Sequence, residues 1–419
     1  MEQGVNRMNT QHDREVLRKL AAQYMEVAQL PAQREKMELW KALNRGKMQR
    51  PMVLIDQLPW HELNRDGELT LKATDPFCRH IEHEIRQILY KWNHFPVDMV
   101  VDPFITIPKS IRNTGYGISV EEDTQITDTV SDVVSHRFHN QLQQEEDVEK
   151  IKDMVITHHV EESKRWMEQA EDLFHGVAPV RQSSGLQFHL GVWDYLSMLM
   201  GVQNIYFDLV DRPEFLHACM ERITSSVMSG IRQAEELGIH NDTTNLCHCS
   251  HTYTDELLPD FGQGKGPSAK NSWAFGLAQL FSSVSPAVTE EFELPYILRM
   301  AEPFGMLYYG CCDRLDDRLD LVKRIPNVKK VSCSPWSNRD VFAEKIGTDL
   351  VMSNKPSPAL LVDPELDRGE IERDLAHTFQ AAHRNNVNLE YILKDISTIH
   401  YQPQRLTQWA ETAMKVVNR

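Results

Sequence analysis

The chain of 419 residues has the composition of an ordinary soluble globular protein, with 41% hydrophobic and 25% charged residues. Its 45 basic and 61 acidic residues give a net charge of −16 at pH 7, which argues against nucleic acid or an anionic membrane surface as the main partner. The first 19 residues contain no apolar signal segment, and no later stretch approaches about 18 unbroken apolar residues. We therefore expect a cytoplasmic protein.

The amino-terminal segment, residues 1–50, is predicted to form a helical extension. Val16, Leu20, Tyr24 and Val27 recur at intervals of three and four residues, which is the apolar stripe of an amphipathic helix. The remainder, residues 51–419, is predicted to form one domain.

That domain repeats one unit, a short apolar strand followed by a loop and an amphipathic helix. The predicted strands are 52–55, 98–101, 176–180, 244–249, 306–309, 330–334, 349–353 and 389–393. This alternation predicts parallel strands joined by crossover helices, and eight such strands predict an α/β fold of the (β/α)8 TIM barrel type. An open, doubly wound sheet is the alternative. Residues at about 113–150 break the rhythm and are predicted to form an inserted hairpin region.

Seven cysteines at irregular spacing do not describe a disulfide framework. Cys311 and Cys312 directly follow the apolar run that ends at Tyr309, and His248 and Cys249 close the fourth predicted strand. A structural zinc site would use paired Cys-x2-Cys motifs, whereas ligands from different strands leave one position free for a substrate. We therefore predict that Cys311, Cys312 and His248 hold Zn²⁺. The alternative is that these residues only fill the core.

Catalytic roles are predicted for three other residues. Glu291 lies in a predicted helix and is a candidate acid or oxygen ligand, although an acidic residue in a first helical turn is also favoured by the helix dipole. Asp102 and Lys355 follow predicted strands, and loops at the carboxyl ends of barrel strands carry the functional groups. We expect Asp102 and Lys355 to orient the substrate.

Substrate contacts are predicted for Trp273, Tyr309 and Asp395. The two aromatic residues add apolar surface near the strand ends, although most aromatic residues in a barrel fill the core. Asp395 follows the last predicted strand, and its carboxylate is also a candidate oxygen ligand for the metal.

Several short motifs, spread over roughly residues 50–415, agree in order and spacing with one known family. They are Gly191-Val192-Trp193-Asp194-Tyr195-Leu196, Asp208-Leu209-Val210-Asp211-Arg212-Pro213-Glu214, Val284-Ser285-Pro286 followed by Glu291-Phe292, Gly305-Met306-Leu307-Tyr308-Tyr309-Gly310-Cys311, and Gly347-Thr348-Asp349. In these motifs the chain resembles the uroporphyrinogen decarboxylase superfamily. The resemblance implies an eight-stranded barrel and a homodimer.

Two departures from the family patterns narrow the function that the resemblance implies. The tetrapyrrole decarboxylases carry Arg-Gln-Ala-Gly-Arg after the first strand, where residues 55–61 of this chain contain no arginine. The zinc-dependent, corrinoid-linked methyltransferases place His-x-Cys at a strand end and a further cysteine near the last strand. Here the first motif is Tyr309-Gly310-Cys311 and the second position is Lys394-Asp395-Ile396-Ser397, so only Cys311 carries over.

The resemblance thus implies a corrinoid-dependent methyltransferase component that transfers a methyl group from a small O- or N-methylated compound to a separate corrinoid protein. Zn²⁺ or an acidic side chain would activate the leaving oxygen or nitrogen. One alternative is a lyase acting on a carboxylated small molecule, with Arg181, Lys355 and Lys394 binding its carboxylates. The other is a non-catalytic, corrinoid-binding barrel.

Overall fold

The computed structural model describes residues 10–126, 134–241, 245–257 and 266–419, and over these ranges the chain is an α/β protein. The β-strands, in chain order, are β1 (Met52–Ile55), β2 (Ile105–Pro108), β3 (Ile111–Asn113), β4 (Glu122–Gln125), β5 (Ser135–Phe138), β6 (Ile156–His158), β7 (Val180–Ser183), β8 (Trp273–Gly276), β9 (Met306–Tyr309), β10 (Val328–Cys333), β11 (Val351–Asn354) and β12 (Asn388–Leu393).

Helices follow most of these strands. The α-helices are α1 (Gln11–Ala28), α2 (Pro31–Asn44), α3 (Trp60–Leu63), α4 (Pro76–His94), α5 (Val160–Phe174), α6 (Val192–Met200), α7 (Val202–Asp211), α8 (Pro213–Leu237), α9 (Pro286–Phe292), α10 (Leu294–Ala301), α11 (Leu319–Val322), α12 (Arg339–Ile346), α13 (Arg368–Arg384) and α14 (Gln404–Val417). None of the described helices is both long and apolar enough to cross a bilayer.

The central sheet has six parallel strands in the order β1-β12-β11-β10-β9-β8. The first strand of the chain therefore pairs with the last, as in a barrel-like arrangement, whereas a doubly wound sheet places its first strand in the middle. Beyond the sheet edges, the Asp98 amide donates to the Val53 carbonyl at 2.9 Å, β2 pairs in parallel with β7, and His189 forms a parallel bridge with Phe275. Closure into an eight-stranded barrel stays a prediction.

Five predicted strands agree with the structure to within two residues: β1, β9, β10, β11 and β12. The prediction of a strand at 98–101 is wrong, because this extended segment pairs with β1 only through Asp98 and the strand follows at Ile105–Pro108. The predicted strand 176–180 overlaps β7 only at Val180, since Gly176 turns the chain with a φ of +72°.

The prediction of a strand at 244–249 is also wrong over its described residues. Residues 245–250 form a tight turn in which Cys247 bridges Ser250. Residue 244 lies outside the described ranges. The strand that neighbours β9 is instead β8, Trp273–Gly276, which the sequence did not predict.

Smaller antiparallel pairs lie outside the central sheet. β3 pairs with β6, and β4 pairs with β5 inside the predicted insertion, whose residues 127–133 lie outside the described ranges. The helices α1 and α2 precede β1, where the amino-terminal extension was predicted, and residues 1–9 are likewise outside the described ranges. α1 packs against α4 and α5.

Alternation along the central strands decides which side chains reach the inside of the curved sheet. On β9, Tyr308 hydrogen-bonds Ser353 of β11 across the interior at 2.7 Å. Its neighbour Tyr309 points the opposite way and donates to Glu293, at the junction of α9 and α10. Since successive strand residues face opposite sides, these contacts distinguish an inner face from an outer, helix-covered face.

Candidate active site

Two thiols and a carboxylate meet where β9 and β12 end. The Sγ atoms of Cys311 and Cys312 lie 3.6 Å apart, and Cys312 Sγ donates to Asp395 Oδ2 at 3.0 Å. One ligand atom from each of the three residues lies within 4.8 Å of the other two. Cys311 is buried, whereas the Asp395 side chain is 46% exposed, so the cluster opens toward solvent.

The backbone around Cys311 is fixed on both sides. Its amide donates to Asp313 Oδ1 at 2.7 Å, and its carbonyl accepts from Ser332 Oγ at 2.6 Å. The preceding Gly310 has a φ of +88°, and a Cβ there would lie 2.6 Å from a methyl carbon of Leu315. Glycine is therefore required at this strand end, and the turn that follows presents both thiols on one side.

Positive charge surrounds the Cys311 thiol. Lys394 Nζ donates to Cys311 Sγ at 2.8 Å and lies 3.3 Å from His248 Nε2. The neighbouring Cys312 thiol, together with His248 and Lys394, lowers the pKa of Cys311 although burial opposes this. The pKa of Cys312 is correspondingly raised, mainly by its contact with Cys311. Cys311 is thus the thiolate of the pair.

His248 connects this thiolate to a further cysteine, Cys249. Its ring stacks on Phe275, with centroids 4.0 Å apart, and hydrogen-bonds both Cys249 and Cys311. Against the effect of burial, these two bonds raise the pKa of His248 to about 9. The pKa of Cys249 is lowered, because Lys355, His248 and Lys394 outweigh its burial.

Three residues of the site adopt left-handed backbone conformations that side chains other than glycine rarely occupy. Gln57 (φ 49°), His248 (φ 54°) and Asp395 (φ 56°) all lie around Lys394, whose Nζ is 3.4 Å from Gln57 Oε1 and 3.1 Å from Asp395 Oδ2. Such conformations cost roughly 1–3 kcal/mol each and concentrate at functional sites. Their convergence on one lysine supports a functional role for this end of the sheet.

A buried polar network continues inward from the thiols. Lys355 donates to Ser353 Oγ at 2.6 Å and to the Tyr308 hydroxyl, and Cys249 Sγ lies 3.6 Å from that hydroxyl. Deeper still, Lys330 and Glu390 form an ion pair of 2.6 Å with both side chains fully buried. Polar side chains therefore extend along the inner face from this ion pair to the thiols.

Carboxyl groups are gathered behind Cys311. Burial raises the pKa of Asp194 to about 7, with Asp313 adding to the effect, and burial raises the pKa of Asp313 to about 6. Glu293, which accepts from Tyr309, has its pKa raised by burial as well. The raised pKa values shift these groups toward their neutral forms, which limits the negative charge next to the thiolate.

The structure brings the predicted metal residues Cys311 and Cys312 together with Asp395, which the sequence also offered as an oxygen ligand, and the third predicted metal residue, His248, hydrogen-bonds Cys311. Lys355 lies in the layer directly below, next to Cys249. Glu291, Trp273 and Tyr309 are not brought to the cluster. Glu291 is exposed on α9, Trp273 lies at the amino end of β8, and Tyr309 faces the helices.

Asp102 lies in a separate cavity of about 230 Å³ that reaches Cys249. Its carboxylate accepts from Tyr253 Oη at 2.9 Å and from Asn245 Nδ2 at 3.0 Å. Burial raises the pKa of Asp102, although both hydrogen bonds and Arg181 oppose this.

The sequence interpretation missed three residues of the site. Lys394 was considered only as a carboxylate-binding group, although its position beside Asp395 at a strand end indicated proximity to the cluster. Tyr308 differs from Tyr309 by one position in the same apolar run, and strand alternation alone does not tell which faces inward. His189, whose ring packs on Phe275, lies close enough to His248 and Cys311 for both to affect its pKa, which burial lowers.

The donor set suits a soft metal ion with an open coordination position. In a tetrahedral zinc site with bonds of about 2.3 Å, two sulfur ligands lie about 3.8 Å apart, close to the 3.6 Å between Cys311 and Cys312. Asp395 offers a third ligand atom. Three protein ligands with one position left for water or substrate are typical of catalytic zinc.

No protein-family model and no curated protein sequence matches the chain significantly. Among solved structures, the chain is similar to a methyltransferase from Methanosarcina mazei, with a TM-score of 0.51 over 91% of this chain and 98% of that one. The two share a fold. The sequence identity is 11%, so the likeness concerns architecture alone.

Proposed function

We propose that the protein is a corrinoid-dependent methyltransferase of the uroporphyrinogen decarboxylase superfamily, which moves a methyl group from a small O- or N-methylated compound to a corrinoid protein. The observation that carries the proposal is the group Cys311, Cys312 and Asp395 at the carboxyl ends of parallel strands, where barrel enzymes keep their chemistry. The fold shared with a methyltransferase supports it.

Cys311, Cys312 and Asp395 would hold Zn²⁺, with His248 as the further candidate ligand. The ion would act as a Lewis acid on the heteroatom that carries the methyl group. Lys394 stabilises the Cys311 thiolate at 2.8 Å and thereby keeps the sulfur ready as a ligand. The methyl carbon would bond to the cobalt of the corrinoid through an electron pair supplied by reduced cobalt(I). The carbon–heteroatom bond would break with its electron pair remaining on the leaving oxygen or nitrogen, and a proton from His248 or a water would neutralise an oxygen leaving group.

The partner we propose is a separate corrinoid protein, with a homodimer as the assembly. Asp395 and Cys312 form the accessible side of the cluster, and a bound partner would approach from there. The chain's net charge of −16 favours a partner surface that carries basic residues.

The lyase alternative would use basic side chains to bind substrate carboxylates. Lys394 is only 1% exposed and hydrogen-bonds Cys311, and Lys355 is buried against Ser353 and Tyr308. These contacts favour a role for both lysines in charge compensation within the site. The non-catalytic barrel would be supported by side chains of Cys311, His248 and Glu291 that point away from one another, whereas Cys311 and His248 share a hydrogen bond.

Metal analysis and methyl transfer test the proposal together. We expect about one zinc per chain in protein purified without chelator, and transfer of labelled methyl from a methylated donor to an added corrinoid. Cys311→Ser should lower this transfer at least about 100-fold, because it removes a ligand of the proposed metal. Cys219→Ser, a matched change in α8, should retain it. Metal-free protein with full activity, or full transfer by Cys311→Ser, would refute the assignment.

A further inference from the structure

A mainly apolar cavity of about 230 Å³ lies between β1, α4 and the segment that leads into β2. Aliphatic side chains such as Leu54, Ile85 and Ile105 form most of its wall. The volume is below the range of about 300–1,000 Å³ that is usual for drug-sized ligands, so the cavity suits a small compound.

One carboxylate stands in this apolar wall. The hydrogen bonds to the Asp102 carboxylate come from the neutral donors Tyr253 and Asn245, and Arg181 acts on it electrostatically. A carboxylate buried in an apolar wall is poorly solvated, and a cationic ligand in the cavity would add a favourable charge interaction to that of Arg181.

Aromatic rings stand beside the same carboxylate. Tyr253 hydrogen-bonds Asp102. Burial raises the pKa of Tyr24, and the nearby charge of Asp102 raises the pKa of Tyr24 further. Both rings and Phe95 line the cavity. Carboxylates combined with aromatic faces recognise quaternary and methylated ammonium groups, because the faces of the rings carry negative potential and their surfaces are apolar.

The remaining charges on the wall also favour a cation. Asp56 and Glu84 line the cavity together with Asp102, whereas Lys91 is the cationic residue of the lining and lies 3.6 Å from Asp56. His251 is held neutral, since burial lowers its pKa to about 4 and its nitrogens contact the Val100 amide and the Asn245 carbonyl.

We propose that this cavity binds the cationic head of a small N-methylated ammonium compound, with Asp102 facing the charge and Tyr24 and Tyr253 facing the methyl groups. The inference rests on the proposed function and narrows its substrate class from O- or N-methyl donors to methylated ammonium compounds, whose positively charged nitrogen would leave as a neutral amine without bonding to a Lewis acid. The cavity reaches Cys249, and His248 hydrogen-bonds both Cys249 and Cys311, so a chain of two hydrogen bonds links the cavity wall to the thiol cluster.

Calorimetric titration of the full chain with two isosteric probes tests the charge preference. Choline carries a trimethylammonium group, and 3,3-dimethylbutan-1-ol replaces it with an uncharged tert-butyl group of the same shape. We expect choline to bind at least about tenfold more tightly, since a charge interaction in a poorly solvated site exceeds what shape alone contributes. If choline binds no more tightly than the alcohol, the inference is overturned, and this result requires no variant of the protein.

Three variants locate the interaction. Asp102→Asn should remove the preference for choline and leave the affinity for the alcohol within about twofold, because the amide keeps the shape but not the charge. Ile88→Trp, which fills the cavity, should weaken both probes. Asp211→Asn, an exposed change on α7, should alter neither. Thermal unfolding checks that each variant is folded, and an unchanged preference in folded Asp102→Asn would contradict the inference.

The titration and the methyl-transfer assay test the two proposals independently of each other. Selective binding of choline without methyl transfer would support the cavity assignment and refute the proposed function. Methyl transfer from a neutral ether, with no preference for choline in the titration, would support the proposed function and refute the inference about the cavity.

Discussion

The Cys311 thiol has charged and hydrogen-bonding partners that a buried cysteine acting only as a core residue would not need. Lys394 donates to it at 2.8 Å, His248 hydrogen-bonds it, and Asp313 and Ser332 hold its backbone. A thiol buried in apolar surroundings has a raised pKa, as Cys333 has, whereas the pKa of Cys311 is lowered. The difference between the two residues lies in these partners.

Thiol modification at different pH values measures this effect. In metal-free protein, Cys311 should react with methyl methanethiosulfonate at a similar rate at pH 6 and pH 8, because it is a thiolate throughout. An ordinary thiol slows about tenfold per pH unit below about 8.5. Lys394→Met should restore part of that slope, and peptide mass spectrometry separates Cys311 from Cys312. A tenfold fall between pH 7 and pH 6 in the unchanged protein would contradict the assignment.

Residue types and strand ends predicted the thiols, but not the neighbours that set their charge. Cys311, Cys312, His248 and Asp395 were found because they follow apolar runs. Glu291 was predicted from its position in a helix, whereas the structure exposes Glu291 and buries Glu293, which was not predicted. Contacts between residues distant in the chain decide such cases, and a single sequence does not contain them.

At the scale of elements, one ion pair links strands that are not neighbours in the sheet. Lys330 of β10 and Glu390 of β12 are 2.6 Å apart across the inner face, and β11 lies between the two strands. Ser250 Oγ donates to Glu390 at 2.8 Å and accepts from Lys330 at 2.7 Å. The pair therefore also fixes the turn that carries His248 and Cys249.

Removing one partner of this pair should destabilise the fold strongly. Lys330→Met leaves the Glu390 carboxylate buried without its counter-charge, which costs about 3–5 kcal/mol in the free energy of unfolding. Lys330→Met combined with Glu390→Leu should recover much of that loss, because no buried charge remains. Urea unfolding of the two single variants and the double variant measures the coupling. Additive losses would show that the two charges act independently.

The strands were predicted where a continuous apolar run has a clear end, as at β9 and β12. β8 was missed because its four residues lie within a few positions of a glycine-rich stretch that favours a loop. The turn at residues 245–250 contains strand-like residues, yet its geometry depends on the positive φ of His248, which residue type does not indicate.

At the scale of the molecule, the pairing of β1 with β12 brings the two ends of the domain together. The carboxyl ends of β9, β11 and β12 consequently lie at one edge, and the thiols, Lys355 and Lys394 meet there although they are up to 83 residues apart in the chain. The order of strands and helices predicted this convergence. Whether the remaining strands close the barrel was not predictable from periodicity, because the pairing of β2 with β7 depends on loops of irregular length.

Metal binding at this edge should stabilise the whole chain. If Zn²⁺ binds the folded protein at 100 times its dissociation constant, the unfolding free energy rises by about 2.7 kcal/mol, or about 3 °C in Tm for a chain of this length. Scanning calorimetry of chelator-treated protein with added Zn²⁺ measures the shift. Cys311→Ser combined with Cys312→Ser should abolish it, and Mg²⁺ should not reproduce it, because two of the three ligand atoms are soft sulfurs. An equal zinc shift in the double variant would place the metal elsewhere on the chain.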